Sequence, residues 1–476
     1  MQTGFRVRAY PTRFQEQTLL RWIGCQRAIY NAKVAEDRYF RTFARKALGV
    51  PAPAPKVDQA YSHFITADSA WFRDVPSQVL RNGAVRFKDA YQRFFSRLGG
   101  RPTIKKKIGR QSVWITSELF TWDVRRQSDE IYAHTLVIGT RKCPVGMIVL
   151  EDHRLRRAST APKSIHVSVE AGRWSVSFNL EDDTVLPTAQ ETADELALWS
   201  EQDLLAASTG VDRGVVIPVA TSRGQAFDFS DVQKARMEKK ARGARRQQRR
   251  LARQVRGSKN RAKTKLRLAR KHEYARCVRA DFAHKTSHAL VEAPGRLIVF
   301  EDLGVQRMTR APRARKSAAG RFEPNGAAAK TGLNAAILRS AWGLVQTYTQ
   351  YKALRRAKLA IAVPAHHTSQ ECARCGHTSP ENRRKQAAFI CQACGHEDNA
   401  DHNAARVIAR RGVLHILSGG YREREPVRAA LRRDNALRRE SSDVKPVEPE
   451  IRREPRKRSA QRASKQETPT TTERAV

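Results

Sequence analysis

No apolar run in this 476-residue chain reaches the roughly 18 residues needed to cross a bilayer as a helix, and its start lacks the pattern of a secretory signal. A membrane-surface partner would need an amphipathic basic helix with an aromatic face or an anchor. The expectation is a soluble, intracellular chain. No internal repeat is present. Acidic residues are scarce, 47 against 90 Lys and Arg, which gives a net charge of +43 and a pI near 10.9. That excess exceeds what solubility requires and implies a polyanionic partner, with nucleic acid the natural candidate. Cys25, Cys143 and Cys277 stand singly, as expected of reduced thiols. With 40 % hydrophobic residues the chain can support two to four domains.

The remaining four cysteines are clustered. Cys372 and Cys375, then Cys391 and Cys394, form two Cys-x2-Cys knuckles separated by fifteen residues, the spacing of a four-thiolate structural zinc site. Asp401 follows seven residues after the last thiolate, at the predicted mouth of a helix. This placement predicts a zinc ribbon that positions an acid.

Along the chain, 4–10 alternates like a strand, and 10–40 carries apolar residues at helical spacing, with Leu19, Leu20, Trp22, Ile23, Ile29 and Tyr30 as the expected buried face. A Pro/Ala spacer at 51–55 precedes a second helical stretch at 75–98. Between 103 and 181 the runs SVWIT, EIYAHTLVIGT, VGMIVLED and SIHVSVEAGRWSVSFNLED predict an antiparallel barrel or sheet, with a hairpin turn at Gly172-Arg173. The tract RPTIKKKIGRQ between helices and strands reads as a phosphate contact. Residues 181–203 are expected to be a linker or short helix. Residues 208–222 read as two strands joined by a tight Arg213-Gly214 turn, and 296–304 and 357–365 as buried strands. Segment 234–285 holds 21 Lys and Arg against 3 acids and predicts two helices broken at Gly257-Ser258. Leu251, Val255, Leu266, Leu268, Tyr274, Val278 and Phe282 give these helices a partial apolar periodicity, and their basic faces would track phosphates. Segment 309–331 has no periodicity, and the charged tail from 418 is expected to be disordered.

Carboxylates at the ends of buried strands are costly without a cation. Asp212, Glu301 and Asp401 are therefore expected to converge on divalent ions, as two-metal phosphodiester hydrolysis requires of hard oxygen ligands. Asp302, next to Glu301, should face the other way. Asp398 reads as a polar turn residue, and His402 as that or a supporting group.

GVDRG at Asp212, FEDLG at Glu301, TSQECARCGHTSPENR with CQACGHEDNADHNAA, and the upstream LNAAILRSAWGLVQTYTQYKA together resemble the transposon-encoded TnpB (OrfB zinc-ribbon) proteins and the compact type V CRISPR effectors. The resemblance covers roughly 1–412. It implies a prokaryotic cytosolic, RNA-guided DNA endonuclease, a multidomain α/β protein whose RuvC-like nuclease domain of RNase H fold uses two Mg²⁺. By motif it assigns Asp212, Glu301 and Asp401 as the catalytic, magnesium-holding acids and Cys372, Cys375, Cys391 and Cys394 as the zinc ligands. It implies a wedge β-barrel (1–10 and 101–190), a helical recognition lobe (11–100), a linker (191–207), the nuclease domain (208–364 and 399–417, with basic helices 232–290 and a lid at 309–331), the zinc ribbon (365–398) and a basic tail (418–476). Guide RNA and target DNA are the implied partners. Their expected contacts are Arg101, Lys105, Lys106, Lys107, Arg245, Arg246, Arg249, Arg250, Arg253, Lys259, Arg261 and Lys263. One departure is Arg213, where the family has an aliphatic residue: its guanidinium either turns away or pairs with Asp212 and weakens metal binding. Three readings follow: a guided nuclease, a guided binder that blocks transcription without cutting, and an unguided zinc-ribbon nucleic-acid-binding protein.

Overall fold

The computed structural model describes residues 2–44 and 58–422, apart from 108, 129–130, 152–154, 156–159, 182–185 and 319. The spacer at 51–55 and the tail from 423 onward lie outside the described residues. Among the described residues, no helix is long and apolar enough to cross a membrane.

The chain opens with strand β1 (Gln2–Tyr10) and helix α1 (Arg13–Tyr39). Thr12 caps α1 through a reciprocal pair with Gln15. Leu19, Trp22, Ile23, Ile29 and Tyr30 are buried as expected, but Leu20 is 48 % exposed, since a residue beside Leu19 lies about 100° around the helix. Helix α2 (Ser77–Phe95) packs on α1. Six further strands follow: β2 (Gln111–Thr116), β3 (Phe120–Ser128), β4 (Ile131–Gly139), β5 (Pro144–Leu150), β6 (Ser164–Glu170) and β7 (Arg173–Glu181). They form an antiparallel sheet of order β2-β6-β7-β1-β5-β4-β3. Trp122 on edge strand β3 touches Phe178 on β7, ring centroids 4.7 Å apart, so the sheet curls around its apolar face. The β6–β7 turn is formed by Ala171 and Gly172, both at positive φ, one residue earlier than predicted.

Helices and sheet share this core. Buried Gln26 donates to the carbonyls of Val79 (3.2 Å) and Trp114 (2.9 Å) and accepts from the Trp114 amide and Arg86, so one side chain ties α1, α2 and β2.

The segment expected to be a linker or short helix forms two short helices, α3 (Ala189–Leu196) and α4 (Glu201–Ala206). Ala193, Leu196 and Leu204 enter the second core, which explains why the segment is ordered. Strands β8 (Ser208–Asp212), β9 (Val219–Thr221), β10 (Ala226–Phe227), β11 (Leu297–Glu301) and β14 (Leu359–Val363) form a sheet of order β10-β9-β8-β11-β14. The first three are an antiparallel meander; β11 is parallel to both β8 and β14. The β8–β9 connection is wider than the expected tight turn, with the Gly214 amide closing on the Ile217 carbonyl at 3.1 Å.

The basic segment forms α5 (Asp231–Arg253) and α6 (Lys259–Glu292), broken at Gly257 with Ser258 capping α6. Of its periodic apolar residues only Phe282 is fully buried, and Val255 is 76 % exposed. The C-terminal half of α6 docks in the core through Phe282, Ala283, Leu290 and Val291, while α5 and the start of α6 bury little. The 309–331 segment contains a small ribbon, β12 (Arg315–Lys316) with β13 (Phe322–Glu323), and the start of α7 (Ala327–Arg339). Helix α8 (Trp342–Leu354) leads into β14. A second ribbon, β15 (Ala388–Ile390) with β16 (Glu397–Asn399), runs directly into α9 (Ala400–Leu417).

Candidate functional site

Helix α9 lies against β8 and β11 at backbone distance, which places its N-terminus beside the strand ends. A Cβ on Gly210 would sit 1.8 Å from the Ala405 carbonyl oxygen, and one on Gly412 would sit 2.3 Å from Val299 Cγ2. Both positions therefore require glycine for close approach. Asp212 ends β8, Glu301 ends β11, and Asp401 occupies the first turn of α9, where Asn399 caps the helix by accepting from the Asp401 amide at 2.9 Å.

The fold brings these three acids into electrostatic contact. Burial, then the charges of Glu301 and Asp401, push the Asp212 carboxyl up from 3.8 to about 7. Burial also raises the Glu301 carboxyl, opposed by a hydrogen bond from Thr368. Glu301 is 6 % exposed, while Asp302 is exposed, as strand alternation predicts. Asp401 pairs with Arg383 at 3.1 Å, and the Arg383 charge also favours ionised Asp212 and Glu301. Two acids at buried strand ends and a third in the first turn of α9 form a donor set suited to hard divalent cations.

The hydrogen bonds of the Arg213 guanidinium go to groups other than the three carboxylates, although its charge favours ionised Glu301. Its guanidinium donates to Gln346 Oε1 at 2.8 Å and to the Glu301 carbonyl, and it lies 5.5 Å from the centre of the Phe300 ring. Burial lowers it to about 10.

The four thiolates gather in one place, all sulfurs within 4.8 Å of one another. Cys372 to Cys394 is 3.7 Å and Cys375 to Cys391 is 3.6 Å. A disulfide needs about 2.05 Å, whereas sulfurs placed at ~2.3 Å from a tetrahedral ion are separated by about 3.8 Å. The residues fit zinc. Buried Asn382 joins the knuckles, donating to the Gln370 and His377 carbonyls and accepting from the Gln392 amide. Buried Asn403 fastens the ribbon to α9, accepting from the Ala373 amide (2.9 Å) and donating to the Glu371 carbonyl (2.7 Å). Arg411 reinforces the joint by pairing with Glu371. Asp398 pairs with Arg406 at 3.1 Å, a ribbon-to-helix contact, and the His402 amide points to the Asn399 cap.

Thr368, Arg383, Asn382 and Asn403 were absent from the sequence-derived set. The only available signal was their presence inside the ribbon phrases.

Among the predicted nucleic-acid contacts, Lys106, Lys107, Arg245, Arg246, Arg249, Arg250, Arg253, Lys259 and Lys263 are exposed. Three are engaged internally. Arg261 donates to the Leu251 and Gln254 carbonyls at the end of α5, Arg101 lies 5.2 Å from the centre of the Phe94 ring, and Lys105 lies 3.5 Å from that of Tyr30.

Three family models match in chain order. Residues 1–38 match a helix-turn-helix domain model of the IS605 OrfB proteins, here β1 and most of α1; 200–311 match the OrfB model described as "Probable transposase"; and 342–408 match the TNB domain of Cas12f1-like proteins. The chain is 29 % identical over 419 residues to the Escherichia coli K12 protein named "Putative RNA-guided DNA endonuclease InsQ", covering 87 % of this chain and 94 % of that one. Over 68 residues, 14 % of this chain and 16 % of the other, it is 49 % identical to the CRISPR-associated endodeoxyribonuclease Cas12f1 of Sulfoacidibacillus thermotolerans. A solved Cas12f1-sgRNA-target DNA complex aligns with a TM-score of 0.46 at 15 % identity, covering 86 % of this chain and 98 % of that one. The chain is a relative of the IS605 OrfB (TnpB) proteins and of Cas12f1.

Proposed function

We propose that this protein is an RNA-guided DNA endonuclease whose β8-β11-β14 domain is a RuvC-like nuclease of RNase H fold. The observation that carries the reading is that Asp212 and Glu301 end neighbouring parallel strands beside the first turn of the helix that carries Asp401, with the charges of Glu301 and Asp401 adding to burial in raising the Asp212 carboxyl. The sheet supports it: an antiparallel three-strand meander followed by two parallel strands, with acids at the ends of the first and fourth strands in chain order. The name carried by the long E. coli relative points the same way.

In this reading Asp212, Glu301 and Asp401 hold two Mg²⁺, which when bound supply an activated water and charge neutralisation at the leaving oxygen. The chain's own groups do the positioning. Thr368 orients the Glu301 carboxylate by its hydrogen bond, and the Asn399 cap fixes Asp401. Arg383 contributes a positive charge at the site. Zinc held by Cys372, Cys375, Cys391 and Cys394 keeps the ribbon folded, and with it Arg383 and the start of α9. The curled seven-strand sheet serves as the wedge barrel and α1 and α2 as the recognition lobe. Guide pairing then reads the target, while the basic faces of α5 and α6 hold phosphates without reading bases.

The test is to express the gene with its native flanking DNA, purify the protein in high salt and sequence the bound RNA. One dominant RNA with a constant scaffold is expected, and that RNA then directs cleavage of matching DNA in Mg²⁺. A heterogeneous mixture of cellular RNA would refute the guided reading.

A further inference from the structure

A cavity of about 250 Å³ lies where α1, α2 and the segment leading into β2 meet. Five of its lining side chains are cationic: Arg27, Arg86, Lys105, Lys106 and Arg110. Among the described residues, no carboxylate lines it. The hydrogen-bond partners these cations have are neutral, although the charge of Asp89, outside the lining, reaches Arg86. Arg86 donates to Gln26 Oε1 (3.0 Å) and the Ser112 carbonyl (3.3 Å), Arg27 to Gln111, and Arg110 to Ser168 Oγ (3.3 Å). Lys105 rests on the face of Tyr30.

Such a cluster is costly as it stands. Burial and the Arg86 charge lower the Lys105 ammonium from 10.5 to about 7, and burial with Arg86, Arg110 and Lys105 lowers His166 to about 4. Arg27, Arg86 and Lys105 are half-buried while Lys106 and Arg110 are exposed at the rim, and like charges crowded in this way are stabilised by a bound anion. Arg86 is also held in place: the Gln26 that fixes it is buried and bonded to α2 and β2, so its fork is pre-organised rather than free to turn outward.

We propose that this cavity is a phosphate-binding site that seats one phosphate group of a nucleic acid between Arg86 and Lys105. The phosphate chemistry stands on the cavity itself; its nucleic-acid source rests on the reading given under Proposed function. The exposed cations of α5 would add screened, sequence-independent affinity, whereas this site would fix the position of one phosphate relative to the helices and the sheet.

The test titrates the full-length, zinc-loaded protein with inorganic phosphate at constant ionic strength. One saturable site is expected. It should weaken at least tenfold in Lys105→Gln and in Arg86→Gln and return in Lys105→Arg, with binding accompanied by proton uptake at pH 8, because Lys105 must charge. Lys105→Gln leaves the Gln26 hydrogen bonds intact and so reads the site even if Arg86→Gln fails to fold. Competition by a short oligonucleotide with and without a 5′-phosphate names the source: equal competition identifies a backbone phosphate, and a preference for the phosphorylated strand identifies a strand end. Absence of saturation, or equal affinity in wild type and Lys105→Gln, would overturn the proposal. The same titration on Asp401→Ala should be unchanged, so a protein that binds phosphate here yet carries no guide RNA would refute the guided-nuclease reading alone.

Discussion

The molecule contains two candidate metal centres built in opposite ways. The thiolate centre draws its four ligands from 23 consecutive residues, and two short turns bring them together. The carboxylate centre draws Asp212, Glu301 and Asp401 from two strands and a helix, and it exists only because β8, β11 and α9 pack at backbone distance. The first is a local property of sequence and the second a property of the whole fold. Asn403 links them, since it bonds the first knuckle from the same helix that carries Asp401.

The largest expected effect comes from removing an acid. Asp401→Ala should lower DNA cleavage by at least about 10³-fold, because loss of a metal ligand forfeits several kcal/mol of transition-state stabilisation. Retained RNA and zinc, measured on the same protein, would show that the thiolate centre does not depend on the carboxylate one. Cleavage that persists would remove Asp401 from the site. The reverse experiment breaks the comparison from the other side. Cys391→Ser, or exhaustive zinc chelation followed by Mg²⁺ addition, should unfold the ribbon, expose 365–398 to protease and abolish cutting with it. Full activity without zinc would mean that α9 holds Asp401 unaided.

Next in size is the packing that assembles the carboxylates. Gly210→Ala would force the β8 backbone away from the Ala405 carbonyl, with an expected cost of about 3 kcal/mol in stability and a larger relative loss in cleavage. Zinc content, read by absorption spectrometry, should be unchanged in the folded fraction.

This contrast also explains what was legible in the sequence. The ribbon, the capped break between α5 and α6, and the buried strands β11 and β14 follow from spacing and local chemistry, which the chain displays directly. Strand β3 was missed although Phe120, Trp122 and Val124 alternate, because the arginines that follow lower its apolar character. At 189–206 the sequence left a linker and a short helix both open, because the burial that orders the two helices depends on the distant β14 and α9. Thr368 and Arg383 were illegible for the same reason. Thr368 meets Glu301 from 67 residues away, and a threonine or arginine in a loop carries no mark of that partner.

A smaller effect separates the two centres by pH. The folded state holds the Asp212 proton up to about pH 7, whereas the unfolded chain releases it near 3.8. Between those values the folded state binds more protons, so stability without Mg²⁺ should fall as pH rises through this window. Asp212→Asn should flatten the profile and raise the melting temperature at pH 8 by several degrees. Mg²⁺ should do the same for the wild type and nothing for the variant. An unchanged profile in Asp212→Asn would mean that the carboxylates are not crowded in solution.

The smallest effect is expected at Arg213. Its guanidinium faces Gln346 and the Glu301 carbonyl, so it supports the strand end that carries the glutamate while leaving the carboxylates themselves unpaired with it. Arg213→Leu keeps an apolar contact with Phe300 but leaves the Gln346 oxygen and a buried carbonyl without a donor, a cost of about 1–3 kcal/mol. Cleavage should change by less than tenfold while the melting temperature falls. A gain of tenfold or more would show that the arginine restrains the acids, and the carboxylate centre would then be held back by its own framework in a way the thiolate centre is not.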